Sequence, residues 1–220
     1  MTDSTFQRAR SPERKAQRRE AILAAAAGLA RRDGVREVTL GDIAGEVGIH
    51  KSALLRYFET REQIFLELTA RSWREWAAAM AAALRRVAPG DAEAVAATLA
   101  DGFAERPLLC DLIPHTALSL ERHVSLEAVR AYKHTSLGAV ETVAAAAAGA
   151  LPSLGVARGR ELVSMVALLA GAMYQISTPP PPLAQLYAEE PELGHALLDL
   201  RARLQRSALI TIRGLEAAGA

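Results

Sequence analysis

Residues 35–65 read VREVTLGDIAGEVGIHKSALLRYFETREQIF. Two short helices and the turn between them are legible in this stretch. Thr39-Leu40-Gly41-Asp42 is a T-x-x-D start signal, with Thr39 able to cap the helix and Asp42 placed in its first turn. Ile43 and Val47 lie one turn apart and face inward, and Gly48 ends the helix. After Gly48-Ile49 a second helix is predicted from about His50 to Phe58, so the span 39–58 has the pattern of a helix-turn-helix. Ile43, Val47, Ile49, Leu54 and Phe58 are spaced to form the small core that fixes the angle between the two helices. Lys51, Ser52, Ala53 and Arg56 are then left to face outward.

Upstream, a helix is predicted from Arg14 to Arg32, with Ile22, Ala26 and Leu29 as its inner stripe and a left-handed glycine stop at Gly34. Downstream, Glu59-Thr60-Arg61-Glu62 opens a long amphipathic helix carrying Phe65, Leu68, Trp76, Met80, Leu84 and Val87 as far as Pro89-Gly90. Further helices are expected over 91–105, 107–115, 125–151, 158–177 and about 194–215, with the prolines at 179–182 forming a stiff surface connection before the last. No apolar residues alternate with a period of two over any useful length, so the fold class is all-α. The expected division is a basic flexible arm over 1–13, a helix-turn-helix domain over 14–61 and a larger helical domain over 62–220.

The 220 residues are 50% hydrophobic and 23% charged, enough apolar material for a packed core and too much for a disordered chain. Net charge is only +1, but it is unevenly spread. Through Arg61 there are 12 basic and 8 acidic residues, against 14 and 17 in the remainder, so the positive charge lies with the helix-turn-helix. Cys110 is the single cysteine, which excludes an intramolecular disulfide and a cysteine-rich zinc site. The basic start lacks the apolar segment of an export signal, and the long uncharged stretch 162–188 is broken by prolines; the expectation is a soluble, cytoplasmic protein with no membrane partner.

A helix of this kind fits the major groove of double-stranded DNA. Lys51 and Arg56 can donate to guanine or phosphate oxygens, Ser52 can hydrogen-bond a base or phosphate, and Ala53 can touch a thymine methyl. The exposed backbone donors of the helix begun at Thr39 would add a phosphate site. Six basic residues against two acidic ones through Arg19 place a positively charged segment beside this motif. No GxSxG, phosphate-binding glycine loop or HExxH occurs, so neither an enzyme nor a cofactor is expected. Asp111 with His115 and His123 with Glu127 are spaced to share a helix face, but no third ligand stands at a recognisable spacing, and no metal is expected.

Residues 35–65 resemble the DNA-binding signature of the TetR family of transcriptional regulators. The likeness lies in the capped helix from Thr39 to Val47, the Gly48-Ile49 turn, the recognition segment His50 to Arg56, the pair Tyr57-Phe58, and Arg61-Glu62 opening the next helix. It implies phosphate anchoring by Thr39, Tyr57 and Arg61. Two residues depart from the pattern: Leu55 stands where the family usually has tyrosine, and His50 where it often has a small hydroxyl residue, altering one phosphate contact and one helix cap.

The resemblance further implies a homodimeric, sequence-specific regulator, a repressor released from a palindromic operator by a small-molecule effector. The helix over 162–174 carries no charge and is expected to meet a second subunit together with the last helix, through Leu162, Val166, Leu169, Met173, Leu197, Leu204 and Ala208. Trp76, Phe103, Cys110, His115, Tyr132, His134, Met165 and Tyr174 are the residues expected to line a mixed apolar and polar effector cavity, with ordinary core packing the competing assignment for each. An all-helical enzyme and a nonspecific architectural DNA-binding protein are the alternatives. A sequence reader is separated from both by a preference of roughly a thousandfold or more for its own site over random duplex.

Overall fold

The computed structural model describes the backbone of residues 4–196 and 199–218, and the side chains of 12–194 and 199–218. Among the described residues every regular element is helical. The chain forms two compact units, one from residues up to Leu68 together with His115–Arg130, the other from Thr69–Pro114 and Ala131–Ala220.

In the first unit, α1 (Ser4–Asp33) is followed by α2 (Leu40–Val47), α3 (Lys51–Leu54) and the opening turns of α4 (Arg61–Leu84). α1 starts at Ser4 rather than near Arg14, so the segment expected to be a flexible arm continues the helix, with Pro12 inside it. The surrounding Arg, Gln, Glu and Ala residues are good helix formers. Ile22, Leu23, Ala26 and Leu29 of α1 are buried with Ile43, Leu54, Phe58, Ile64 and Phe65, which form this unit's core. The segment 115–130 contributes a π-helical turn, Thr116–Leu120, closed by the Glu121 amide donating to the Thr116 carbonyl at 3.1 Å.

The second unit contains most of α4, then α5 (Ala92–Ala104), α6 (Pro107–His115), α7 (Leu126–Ala150), α8 (Gly155–Ser177), α9 (Pro181–Glu189) and α10 (Leu200–Ala217), the ends of α6 and α7 excepted. α5 is the centre: Val95, Ala96, Leu99, Ala100 and Phe103 are wholly buried, and the helix packs against α8 and α10. Leu204, Ala208 and Ile212 of α10 fill the same core. α7 and α8 approach closely at Gly159, where an added Cβ would lie 2.8 Å from the Ala144 carbonyl oxygen; only glycine fits without a shift.

The proline run does not form a bare connection. Pro181 and Pro182 open α9, where a helix has no use for their missing donors, and a 3-10 turn, Pro191–Ala196, precedes α10. The last helix accordingly starts at Leu200 rather than near Gly194, capped by Asp199. No single helix among the described residues is long and apolar enough to cross a membrane.

Candidate functional site

Each end of α2 is fixed by its sequence. Thr39 Oγ1 accepts from the Asp42 amide at 3.2 Å, while the Thr39 amide and hydroxyl both donate to Asp42 Oδ2, at 2.8 and 2.7 Å. These bonds hold the exposed Asp42 carboxyl below its usual range. At the other end Gly48 takes φ +69°, and its amide donates to the Gly45 carbonyl at 3.1 Å; a side chain would strain this left-handed stop. The turn delivers His50 as the N-cap of α3, where its imidazole makes no capping bond. The cap altered by this histidine in the sequence is therefore altered in the structure.

α3 is shorter than the predicted helix. Regular α geometry ends at Leu54, and the chain reaches Phe58 through turns in which the Tyr57 and Phe58 amides both donate to the Leu54 carbonyl, at 2.8 and 3.3 Å. Leu54 and Phe58 are buried, while Val47 and Ile49 are only half-buried at the edge of the core. His50, Lys51, Ser52 and Arg56 are exposed, and Ala53 and Tyr57 half-exposed. Among the described residues, the side chains of Lys51, Ser52 and Arg56 have no hydrogen-bond or ion-pair partner. Two cations and a hydroxyl thus stand free on α3 and the turn that follows it.

Arg61 is placed differently from the expectation. Its guanidinium donates to the carbonyls of Val35 and Val38, pairs with Glu62 at 3.4 Å, and lies 4.6 Å from the Phe65 ring centroid. It ties the α1–α2 connection to α4. Thr39 likewise gives its hydroxyl proton to Asp42. The sequence reading also missed Arg19, whose guanidinium reaches Tyr57, Glu67 and Phe58 from α1. Its separation from those residues along the chain leaves no local pattern to find.

Residues 22–68 match the family model for bacterial regulatory proteins, tetR family, and residues 70–219 match the tetracyclin repressor-like C-terminal domain. The chain belongs to the TetR family. As a TetR-family member it is a DNA-binding transcriptional regulator and not an enzyme. No curated protein matches it in sequence. Similar solved structures are FadR of Thermus thermophilus, a TetR-family transcriptional repressor in complex with lauroyl-CoA (18% identity, covering 90% of this chain and 92% of that one, TM-score 0.54), and a TetR transcriptional regulator from Rhodococcus sp. RHA1 (17%, 91% and 97%, TM-score 0.54). A third is the fatty acid degradation regulator FadR from Bacillus halodurans (11%, 87% and 94%, TM-score 0.51). At these identities the likeness is one of fold.

In the second unit of this TetR-family chain, Trp76, Phe103, Cys110 and Tyr174 of the residues expected to line a cavity lie close to one another, whereas His134 and Met165 are exposed. Trp76 and Phe103 are wholly buried with ring centroids 4.6 Å apart, and Trp73 stands edge-on to Trp76 at 5.3 Å. Met80 fills the space beside Gly102, so this cluster is close-packed core. The indole N–H groups of Trp73 and Trp76 are buried without a partner among the described residues. Cys110 is buried, its Sγ 3.3 Å from the Phe103 carbonyl, and burial with the neighbouring Asp111 pushes its thiol up to about 12. Asp111 is a buried carboxylate on α6 that accepts from Gln175 Nε2 at 2.7 Å; burial first and then the Asp111 charge push the half-buried Tyr174 hydroxyl above its ordinary value. Tyr132 is buried, His134 exposed, and Met165 50% exposed, so Met165 and His134 face away from any interior site. His115 belongs to the first unit.

The uncharged part of α8 is not buried on all sides. Leu162 and Val166, with Leu204 and Ala208 of α10, are wholly buried within the protomer and have no surface to offer a second subunit. This corrects the expected stripe: the open apolar positions are Met165, Leu168 and Ile176 on α8 and Ile210 on α10, with Leu169 and Met173 half-buried between the two faces. Leu197 lies outside the described residues. His123 precedes α7 and does not share its helix with Glu127; among the described residues no group of three or more His, Cys, Asp or Glu side chains is gathered to hold a metal.

Proposed function

We propose that this regulator is a homodimer that reads a palindromic operator and leaves it when a small-molecule effector binds, acting as a repressor in the cytoplasm. The observation that carries the reading is the presentation of Lys51 and Ser52 on α3 and Arg56 in the turn after it, exposed and unpaired, where the approach of α3 is fixed by the Thr39–Asp42 cap and the Gly48 turn. Lys51 and Arg56 supply base or phosphate donors, Ser52 a hydrogen bond and Ala53 a methyl contact. In this reading Thr39, His50 and Tyr57 are assigned to backbone phosphates. Arg61 is held by the Val35 and Val38 carbonyls, so in this reading it fixes the α1–α2 connection beside the contact surface.

Dimerisation is supported by the open apolar positions of α8 and α10, two helices that pack together within the protomer. A two-fold pair of α3 helices reads two inverted half-sites. Ligand control is supported by the Thermus thermophilus relative, whose structure holds lauroyl-CoA. In this chain the polar groups buried inside the effector half include Thr69, Asp111 and the Trp73 and Trp76 indoles. Both tryptophans of the protein sit in one cluster there, so their fluorescence reports on this half alone. An effector is a compound that shifts this fluorescence and weakens DNA binding together, because only differential affinity for the two states moves the equilibrium. Titration of Lys51→Ala against DNA selected by the wild-type protein tests the recognition surface: a folded variant that binds at full strength removes Lys51 from the contact set.

A further inference from the structure

We infer that Arg19 is a positioning residue for DNA recognition, acting through Tyr57 and Phe58 at the exit of α3. The inference rests on the DNA-binding reading of α3 and adds to it a residue that touches no DNA. Arg19 leaves α1 and makes three contacts with one guanidinium: Nη1 donates to the Tyr57 carbonyl at 2.6 Å, Nη2 pairs with Glu67 on α4, and the group lies 4.1 Å from the Phe58 ring centroid. The side chains of Arg19 and Glu67 are both about two-thirds buried, at 34% and 31% exposure, so this contact is shielded from full solvent screening.

The need for such a contact follows from the shortness of α3. Four residues of regular helix cannot hold their own geometry, and the carbonyls that follow Leu54 lack helical partners. The Arg19 guanidinium satisfies the Tyr57 carbonyl in the turn that follows α3. Phe58 is buried beneath it, and Glu67 fixes the guanidinium from the opposite side. Arg19 therefore locks the last turn of the recognition segment to both α1 and α4. Tyr57 and Arg56 hang from that turn, so their direction toward DNA depends on it. Lysine cannot replace this fork, because one ammonium does not donate in two fixed directions while stacking on a ring.

The test uses full-length Arg19→Gln, Arg19→Lys and Glu67→Ala, with a duplex selected by the wild-type protein and a random duplex as probes. The expected result is a loss of about ten- to a hundredfold on the selected duplex for Arg19→Gln, the change expected when a hydrogen bond to a charged group is removed. Random-duplex affinity and the salt slope stay at their wild-type values, since no phosphate contact is lost. Glu67→Ala, which leaves every cation in place, gives the same selective loss in smaller degree, and Arg19→Lys recovers little. Wild-type affinity of a folded Arg19→Gln protein overturns the inference. An equal loss on both duplexes with a salt slope lower by about one also overturns it, because Arg19 would then be a phosphate contact. Failure of the wild-type protein to select any sequence would instead defeat the reading of α3 itself. If Arg19→Gln does not fold, Glu67→Ala decides: a folded Glu67→Ala protein with undiminished preference for the selected duplex refutes the role.

Discussion

Thr39 and Asp42 cap α2 reciprocally: each amide donates to the other residue's side chain, at 2.8 Å to Asp42 Oδ2 and 3.2 Å to Thr39 Oγ1. The cap sets where α2 begins and hence where the turn at Gly48 delivers α3. Thr39→Ala is expected to lower stability by about 1 kcal/mol and to weaken DNA binding with it. Because the bonds from Thr39 lower the Asp42 pKa, the carboxylate contributes stability above the ordinary range near 4, and that contribution is lost as pH falls through the lowered value. Thermal melting of the wild type and Asp42→Asn between pH 7 and 2.5 checks this: the gap between the two narrows only at the acid end.

Arg61 and Lys51 separate structure from recognition. Arg61→Ala removes the ties to the Val35 and Val38 carbonyls and is expected to lower the melting temperature of the first unit as well as DNA affinity. Lys51→Ala is expected to weaken DNA binding with melting unchanged, since an exposed side chain without partners contributes little to the fold. Melting curves that fall for Lys51→Ala and not for Arg61→Ala would reverse these assignments.

Leu168 is 66% exposed in the middle of an apolar face on α8. Leu168→Glu is expected to give monomers in sedimentation, because association would bury an unpaired charge, and to lose cooperative binding to a two-part site. A dimer of unchanged stability would place the subunit contact on another face.

Cys110 is buried with its thiol raised to about 12, so it is expected to be inert to thiol reagents in the native protein at pH 8 and to react fully after denaturation. Rapid labelling of the folded protein would show that α6 opens.

The helices and the helix-turn-helix were legible because period and punctuation are local: Thr39, Gly48 and Gly34 mark their boundaries by conformations that the structure adopts. The exposure of Lys51, Ser52 and Arg56 followed from the inward spacing of Ile43, Leu54 and Phe58 in the same way. What the sequence could not show was set by partners distant in the chain. Arg61 spends its charge on carbonyls 23 and 26 residues away, and Arg19 on Tyr57, 38 residues away. On α8 an uncharged sequence has no polar side to orient it, so Leu162 and Val166 were indistinguishable from Met165 and Leu168 until α5 and α10 had covered one face.

Selection of bound sequences from random duplex DNA at near-physiological salt tests the central claim, because nonspecific phosphate binding is suppressed there. The account predicts an enriched palindrome whose half-sites are spaced for two copies of α3. Recovery of no sequence by folded protein would contradict it.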